Sequence, residues 1–232
     1  MSRFRDTRNR VLNRILSHRQ VLRYAMKASP ENVKDIRVVL EDHQLLVDPA
    51  TAIGRHVVKN GSWNREQIEL IRGQLPTNLL DGQVIELGGN IGTETVGFLL
   101  SGFSHVYSVE PDTDNIERLN MNLLINHLSD RATVCNAAVG SSAGKGQLTK
   151  YFGNPGANTL LKNDGDSAEE VVVITGDKLV SHYEIDVSKV SLIWMDIEGF
   201  EIEAIAGMKK LLKSLPFYPN QRIGIMILLL SR

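Results

Sequence analysis

From residue 83 onward the chain alternates short apolar runs with segments of helical periodicity, and this alternation limits the folds available to it. The apolar runs are QVIEL at 83–87, HVYSVE at 105–110, ATVCNAAV at 132–139 and VSLIWMDI at 190–197. Each run is long enough for one strand, and the segments between them repeat apolar residues every three or four positions. The pattern predicts an α/β fold, with a mostly parallel sheet covered by helices on both faces.

Other segments give more local expectations. DIRVVLEDHQLLV at 35–47 predicts two short strands, NREQIELIRGQL at 64–75 a helix, and FEIEAIAGMKKLLKS at 200–214 a single helix. The helix after the second strand is expected to bury one face that carries Ile116, Leu119, Leu123 and Leu124. Residues 140–165 are predicted to be a glycine-rich loop, followed by the apolar run EEVVVIT.

The turn after the first strand, VIELGGNIG, carries Glu86, Gly88, Asn90 and Gly92 at alternate positions. A tight turn into a helix N-terminus presents backbone N–H donors, and glycine allows a ligand to approach them closely. The dinucleotide fingerprint requires glycine where Asn90 and Thr93 stand, and no Gly-Lys-Ser/Thr follows as a P-loop requires. These mismatches disfavour a nicotinamide oxidoreductase and a P-loop enzyme.

Two acids flank this turn in the predicted sheet. Glu86 lies at the end of the first strand, where it suits a positively charged ligand and would repel a pyrophosphate. S-adenosylmethionine carries both an ammonium and a sulfonium. Glu110 ends the second strand, where a carboxylate accepts hydrogen bonds from two ribose hydroxyls. The alternative is that Glu110 only precedes a turn at Pro111 and that the glycines form a tight connection.

Four motifs together resemble the FkbM family of S-adenosylmethionine-dependent methyltransferases. IELGGNIG is similar to the family's Asp-x-Gly-Ala-Asn-x-Gly turn, and VEPD to the acid after its second strand. VVVITGDKLV resembles a segment that ends in Thr-Leu-Asp-x-Leu, with Asp177 as its acid. WMDIEGFEIEAIAGM resembles Lys-Ile-Asp-x-Glu-Gly-x-Glu-x-x-x-Leu-x-Gly. The likeness spans residues 83–213.

This resemblance implies a Rossmann-like class I methyltransferase fold and S-adenosyl-L-methionine as the cofactor. The implied cofactor contacts are Glu86, Gly88, Gly89, Asn90, Gly92, Glu110, Asn136 and Ala137. It also implies a small-molecule or glycan acceptor, methylated on a hydroxyl of a sugar or natural product. Asn154, Asn158 and Thr159 of GNPGANTL are expected on the acceptor side.

Asp196 and Glu198 are the candidate catalytic residues. Asp196 follows the fourth strand of the parallel set and Glu198 opens the next helix, so both belong to the edge where cofactor and acceptor should meet. We expect Asp196 to remove the acceptor proton or to position the acceptor. The alternative is that Asp196 orients the methionine amino group while Glu198 caps the helix. No metal is expected, since two carboxylates without a third ligand make a weak metal site.

The C-terminal part departs from the family pattern, because the chain stops at Arg232 where family members usually add further strands. IGIMILLL at 223–230 predicts a buried strand, and we expect a sheet shortened at this end. Its apolar edge would favour a homo-oligomer. A second function class follows: a module that holds the cofactor without turnover.

The N-terminal segment differs in charge from the rest of the chain. Residues 1–27 hold eight Arg or Lys and one Asp in a basic amphipathic pattern, whereas the whole chain has a net charge of −1. That near-neutral total disfavours a nucleic-acid partner. The segment is expected to pack on the core, to lie on an anionic membrane or partner surface, or to act as a targeting peptide.

These patterns divide the chain into two regions. Residues 1–76 are predicted to hold the basic helix, short strands and a helix packing on the core, and residues 77–232 the methyltransferase domain. A single cysteine, Cys135, excludes an internal disulfide, and no stretch near the N-terminus has the apolar region of a secretory signal. A cytoplasmic location is expected.

Overall fold

A computed structural model of the chain describes residues 35–161 and 164–215, and the backbone of 226–229. The basic helix predicted within residues 1–27 lies outside the described residues. The strands are β1 (Ile36–Val39), β2 (Gln44–Val47), β3 (Gln83–Leu87), β4 (His105–Glu110), β5 (Ala132–Asn136), β6 (Ala138–Val139), β7 (Gly144–Lys150), β8 (Ser167–Ile174), β9 (Val190–Met195) and β10 (Met226–Leu229). The α-helices are α1 (Ala52–Asn60), α2 (Arg65–Arg72), α3 (Thr93–Leu100), α4 (Thr113–Ile125), α5 (Gly176–His182), α6 (Glu201–Ala206) and α7 (Lys209–Ser214).

The central sheet has five strands in the order β10-β9-β3-β4-β5, and all of its neighbouring pairs are parallel. The chain starts at β3 in the middle, builds outward through β4 and β5, and then returns to the other side of β3 with β9 and β10. This reversal is the switch point of a doubly wound, Rossmann-like fold. The predicted fold class is confirmed, as is a strand near the C-terminus.

Helices cover both faces of this sheet. On one face Val84 and Trp194 pack with Phe98 and other apolar residues of α2, α3 and α4. On the other face Ile85 and Ile193 pack with residues of α5, α6 and α7. Neighbouring residues of one strand belong to opposite cores because side chains alternate across a sheet, which explains why β9 is apolar at every position except Ser191.

A second sheet of three strands, in the order β6-β8-β7, lies in the region predicted to be a loop. Its strand β7 pairs antiparallel with β8 along the whole of β7. The loop prediction for 140–165 is therefore wrong for residues 144–150. The sequence GKGQLTK does not show the usual apolar pattern of a strand. Its contact with an apolar core is made by Leu148, which packs against Val171 and Val173.

The single helix predicted over residues 200–214 is two helices, α6 and α7. Gly207 separates them, and a Cβ there would lie 2.1 Å from the Gly140 carbonyl oxygen, so the backbones touch at this point. Asp177 accepts the N–H groups of Lys210 (3.0 Å) and Leu211 (2.8 Å), and so caps α7 from another helix. A cap supplied by a distant residue cannot be predicted from the local sequence.

The N-terminal hairpin of β1 and β2 is fastened to α4 by two asparagines. Asn122 accepts the Leu46 N–H at 2.6 Å and donates to the Ile91 carbonyl at 2.8 Å. Asn126 binds both backbone groups of Gln44. The buried face of α4 therefore includes asparagine, while Leu124, predicted to be buried, is 58% exposed.

Helix α1, which the sequence patterns did not predict, follows this hairpin. Thr51 is its N-cap, and the Thr51 hydroxyl accepts the Gly54 N–H. The helix predicted over 64–75 is α2, which is shorter than expected. Within the described ranges, no helix is long and apolar enough to cross a lipid bilayer.

Candidate active site

A crevice opens at the carboxyl edge of the central sheet, beside the switch point, where ligands of doubly wound folds bind. Six of the predicted site residues line it: Gly88, Asn90, Glu110, Ala137, Asp196 and Glu198. Four lie outside its lining: Glu86, Gly89, Gly92 and Asn136. Asn136 is exposed at the end of β5.

The turn of residues 88–92 forms because three of its residues adopt the left-handed backbone region, with φ of 91° at Gly88, 45° at Asn90 and 82° at Gly92. The N–H groups of Gly88 and Gly89 donate to the Val109 carbonyl, and that of Asn90 donates to Glu110 Oε2. The Ile91 N–H donates to Asn90 Oδ1, and the Gly92 N–H donates to the Gly89 carbonyl. The predicted cradle of amides open to a ligand is therefore wrong: these donors bind protein acceptors.

The glycines of this turn allow close packing. A Cβ on Gly88 would lie 2.1 Å from the Asp196 carbonyl oxygen, so glycine brings the ends of β3 and β9 together. A Cβ on Gly89 would lie 2.1 Å from Ser108 Oγ, and one on Gly92 would lie 3.0 Å from Leu119. Gly89 and Gly92 face the neighbouring strand and helix.

Glu86 lies beneath the turn, with a fully buried side chain. Thr95 donates its hydroxyl proton to Glu86 Oε2 at 2.6 Å. Burial raises the pKa of Glu86 to about 8, although hydrogen bonds from Ser108 and Thr95 oppose the shift. Thr95 is in α3 and Ser108 is in β4, so Glu86 lies between β3, α3 and β4, although the sequence suggested it for the crevice.

Glu110 is 5% exposed and lines the crevice. Its Oε2 accepts the Asn90 N–H at 2.8 Å, and its Oε1 accepts the Asp112 N–H at 2.9 Å. These bonds fix the carboxyl group between the glycine turn and the beginning of α4. Burial raises the pKa of Glu110 to about 7 despite both backbone hydrogen bonds.

Asp196 and Glu198 reach the crevice from the loop after β9. The Asp196 N–H donates to the Leu87 carbonyl at 3.0 Å, which continues the hydrogen bonding between β3 and β9 by one residue past the end of β9. Glu198 has a left-handed φ of 48°, and its carbonyl accepts the Thr159 hydroxyl proton at 2.8 Å. At the beginning of α6, Glu201 accepts the Gly199 N–H.

The opposite wall of the crevice comes from the second sheet and from the loop that joins its strands β7 and β8, through Leu148, Pro155, Gly156, Asn158 and Leu160. Asn158 accepts the Tyr151 N–H at 2.9 Å and donates to Asp112 Oδ2 at 2.8 Å. Lys150 donates to the other oxygen of Asp112 at 3.0 Å. Asp112, which is 1% exposed, thus ties this wall to the beginning of α4.

Two other residues predicted on the acceptor side do not line the crevice. Thr159 is 3% exposed and is used by the Glu198 loop, and Asn154 lines an adjacent recess. In the part of the chain that the structure describes, no group of three or more His, Cys, Asp or Glu side chains could hold a metal ion.

Comparison with known proteins agrees with this arrangement. The sequence matches the methyltransferase FkbM domain over residues 86–226, which includes the glycine turn, Glu110 and the Asp196 loop. The chain belongs to the FkbM methyltransferase family. The match covers more than half of the chain and contains the residues on which the sequence resemblance rests.

Individual relatives are more distant. The hexuronic acid methyltransferase AglP of Haloferax volcanii is 31% identical over 155 residues, which cover 66% of this chain and 61% of AglP. An FkbM methyltransferase from Methylobacillus flagellatus KT aligns with a TM-score of 0.40 at 16% identity, over 68% of this chain and 47% of its own. A SAM-dependent methyltransferase from Agrobacterium tumefaciens aligns with a TM-score of 0.41 at 13% identity, over 72% and 41%.

One buried acid of this FkbM domain was not predicted from the sequence. Glu94 in the first turn of α3 is 4% exposed and accepts hydrogen bonds from Thr93 (2.6 Å) and Asn64 (3.0 Å). Burial raises its pKa to about 7, and the charge of Asp196 contributes to the shift. An acid in the first turn of a helix is common, so the sequence offered no signal that Glu94 is buried near Asp196.

Proposed function

We propose that this FkbM methyltransferase uses S-adenosyl-L-methionine to methylate a hydroxyl oxygen of a saccharide. One observation carries the proposal: three acidic residues, Glu110, Asp196 and Glu198, line the crevice, while the amides of the adjoining turn donate to protein acceptors. A site rich in acceptors suits a ligand with positive charge and hydroxyl donors, and it repels a pyrophosphate.

The lining of the crevice fits the separate parts of this cofactor. Glu110 is held rigidly at the end of β4, where its two oxygens are able to accept hydrogen bonds from ribose hydroxyls. Pro111, Ala137 and Leu160 supply apolar surface for a flat base. The acidic lining as a whole favours a ligand that carries an ammonium and a sulfonium, so the residues present fit S-adenosylmethionine better than a dinucleotide.

In the proposed reaction Asp196 accepts the proton of the attacking hydroxyl, and Glu198 helps to orient the acceptor. The bound cofactor supplies an electrophilic methyl group, and transfer to oxygen needs alignment and removal of one proton. Leu148 and Leu160 on the opposite wall would exclude water from that step. The competing assignment gives Asp196 to the cofactor's amino group, and it predicts a different effect of mutation.

The saccharide acceptor is proposed from the relative that acts on hexuronic acid. Its 31% identity extends over 66% of this chain, and the chain spans 61% of the relative's length. The asparagine-containing loop on the second wall supports a polar acceptor, since Asn158 lines the crevice and Asn154 the recess beside it.

The proposal is tested in two stages. Calorimetry with S-adenosylmethionine, S-adenosylhomocysteine and NAD should give a heat of binding with the two sulfur nucleosides only. No heat with either of these two would refute the cofactor assignment. A radiolabelled methyl donor is then incubated with hexuronic acids, neutral sugars and their glycosides. Labelled saccharide supports the proposal, whereas cofactor binding without transfer across a broad panel supports a module that binds without turnover.

A further inference from the structure

A groove of about 290 Å³ lies next to the cofactor crevice and is not used by the proposed chemistry. We call it the outer groove. Leu160 and Phe200 line both spaces, and at the end of β6 Val139 lines the crevice while Gly140 lines the groove. The volume is close to about 300 Å³, the lower end of the range usual for small-molecule pockets. A ligand in the outer groove would lie beside one in the crevice.

Glycines of β7 make the space of the outer groove. Gly144 and Gly146 stand on one face of this strand, because alternate residues share a face. A Cβ on Gly146 would lie 2.8 Å from Leu160 and 2.9 Å from Val173, so the floor is closely packed there and is apolar. A Cβ on Gly144 would meet no heavy atom of the described residues within 4 Å. Gly144 therefore opens into the groove.

The edge of β7 supplies backbone hydrogen-bonding groups to the outer groove. β7 is the outermost strand of the second sheet, and Thr149 turns its N–H and carbonyl away from β8 to bind Thr159, at 2.8 and 3.1 Å. Alternate residues of an antiparallel strand direct these groups to the same side. Lys145 and Gln147, which line the groove, therefore point theirs away from β8 as well. Among the described residues, pairing on this side of β7 is confined to Thr149.

These groups match the hydroxyls of a sugar ring. A row of N–H donors and carbonyl acceptors serves hydroxyl groups, because each hydroxyl both donates and accepts. The exposed side chains of Ser141 and Ser142 add two more hydroxyls at the rim. Phe200 and Leu160 offer apolar surface to the C–H face of the ring. Two outward-facing residues make too short an edge for an added peptide strand, since strands usually have about five or six residues.

The charge of the outer groove also differs from that of the crevice. Three acids line the crevice, whereas none of the described residues that line the groove is acidic. The groove therefore does not attract the cationic cofactor, and it does not repel a sugar that carries a carboxylate.

We propose that the outer groove holds the sugar ring of the acceptor, with ring hydroxyls bound to the backbone groups of Lys145 and Gln147. The proposal rests on the proposed function and deepens it, because it names the surface that recognises the saccharide. The loop between β9 and α6 begins at Asp196 and ends at Phe200, so a ring that packs on Phe200 borders the loop that carries the proposed base.

Gly144→Leu tests the volume of the outer groove. The new side chain would enter the groove, and because glycine weakens a strand the melting temperature should not fall. We expect the Kd of the saccharide to rise at least about tenfold. Gly153→Leu is the matched control, since a Cβ at Gly153 also meets no described atom within 4 Å and Gly153 is not among the described residues that line the groove or the crevice.

Gln147→Pro tests the backbone hydrogen bond. Proline removes the Gln147 N–H, and an edge strand tolerates proline where that N–H faces away from the neighbouring strand. We expect the Kd of the saccharide to rise about fivefold, which corresponds to the loss of one hydrogen bond. Gln147→Ala is the control, because it removes the side chain and keeps the N–H, and it should match the wild type.

Binding is measured by calorimetry or saturation-transfer NMR. The ligands are the methyl glycosides of glucose, galactose, mannose and glucuronic acid, added to the complex with S-adenosylhomocysteine. The Kd of S-adenosylhomocysteine should change by less than about twofold in all four variants. Melting temperatures verify folding, and Gly144→Leu provides the test if Gln147→Pro unfolds.

Three results would overturn the outer groove as the acceptor site. Saccharide binding that both Gly144→Leu and Gln147→Pro leave unchanged would place the sugar elsewhere and leave the methyltransferase proposal intact. An equal loss of S-adenosylhomocysteine binding would assign the groove to the cofactor. No binding of any of the glycosides to the wild type at millimolar concentration would remove the ligand class, while the heat of S-adenosylhomocysteine binding separately tests the cofactor assignment.

Discussion

The two walls of the crevice are built in different ways. One is the edge of the parallel sheet, where Glu110 and Asp196 follow strands whose neighbours hold them on both sides. The other is the second sheet with its loop, where Asn158 and Lys150 reach across to Asp112. The first wall is anchored by the core of the fold, and the loop of the second wall is joined to the first by polar contacts at Asp112 and by the Thr159–Glu198 hydrogen bond.

Because of this difference, the two walls are expected to have different roles. The sheet edge carries the carboxyl groups proposed to bind the cofactor and to accept a proton, because strand ends give positions that do not shift. The second wall supplies apolar surface and depends on Asp112 for its position. Mutations on the first wall should therefore change binding or turnover, whereas mutations at Asp112 should change both along with stability.

The largest expected effect is on turnover at the first wall. We expect Asp196→Asn to lower kcat by about 100-fold or more, since general-base catalysis contributes that much in enzymes. The Kd of S-adenosylmethionine should change much less. Glu198→Gln, a neighbouring acid on the same loop, should lower kcat less. A variant that loses cofactor affinity and keeps kcat would assign Asp196 to the cofactor's amino group.

The next effect is on cofactor binding. Glu110→Ala should weaken S-adenosylmethionine binding by about 1 to 3 kcal/mol, because the ribose hydroxyls lose their acceptor. Calorimetry measures the change, and Glu117→Ala, which removes an exposed acid on α4, is the control. Unchanged affinity in the Glu110 variant would exclude it from the cofactor site.

At the second wall, Asp112→Ala should lower the free energy of unfolding by about 1 to 2 kcal/mol, because α4 loses its cap along with the contacts to Lys150 and Asn158. Cofactor affinity should fall as well. Asp114→Ala is a matched control, since its 73% exposed side chain makes only a long contact to Lys150. Equal effects of both variants would show that Asp112 is not the anchor.

Per pH unit, the smallest effect concerns Glu86 and the pH dependence of stability. Its folded pKa of about 8 lies above its ordinary value of 4.5, so the folded state binds the extra proton between these values and stability falls as pH rises through that window. The slope from one such group is at most about 1.4 kcal/mol per pH unit. Glu86→Gln should flatten the decrease in melting temperature from pH 5 to 8.

Glu66→Gln, at an exposed position of α2, should leave that pH dependence unchanged. If the Glu86 variant kept the full slope, the dependence would belong to Glu94 and Glu110, whose pKa values burial also raises. The comparison would then separate Glu86 from the other two buried acids.

The sequence by itself determined the parallel sheet, because β3, β4, β5 and β9 are short, mainly apolar segments separated by helical periodicity. It also brought Glu110 and Asp196 to one edge, since parallel strands end on the same side. The family motifs pointed to the same residues, and the crevice contains six of the ten candidates.

Only the tertiary structure decided which acids face the ligand. Glu86 and Glu110 both stand at the ends of adjacent strands, yet Thr95 holds the first beneath the turn and the second opens to the crevice. The same holds for Glu94, which is buried in contact with Asn64, a residue far from it in the sequence. Periodicity reports which face of an element is apolar, but the surroundings of a polar side chain are set by the elements that pack against it.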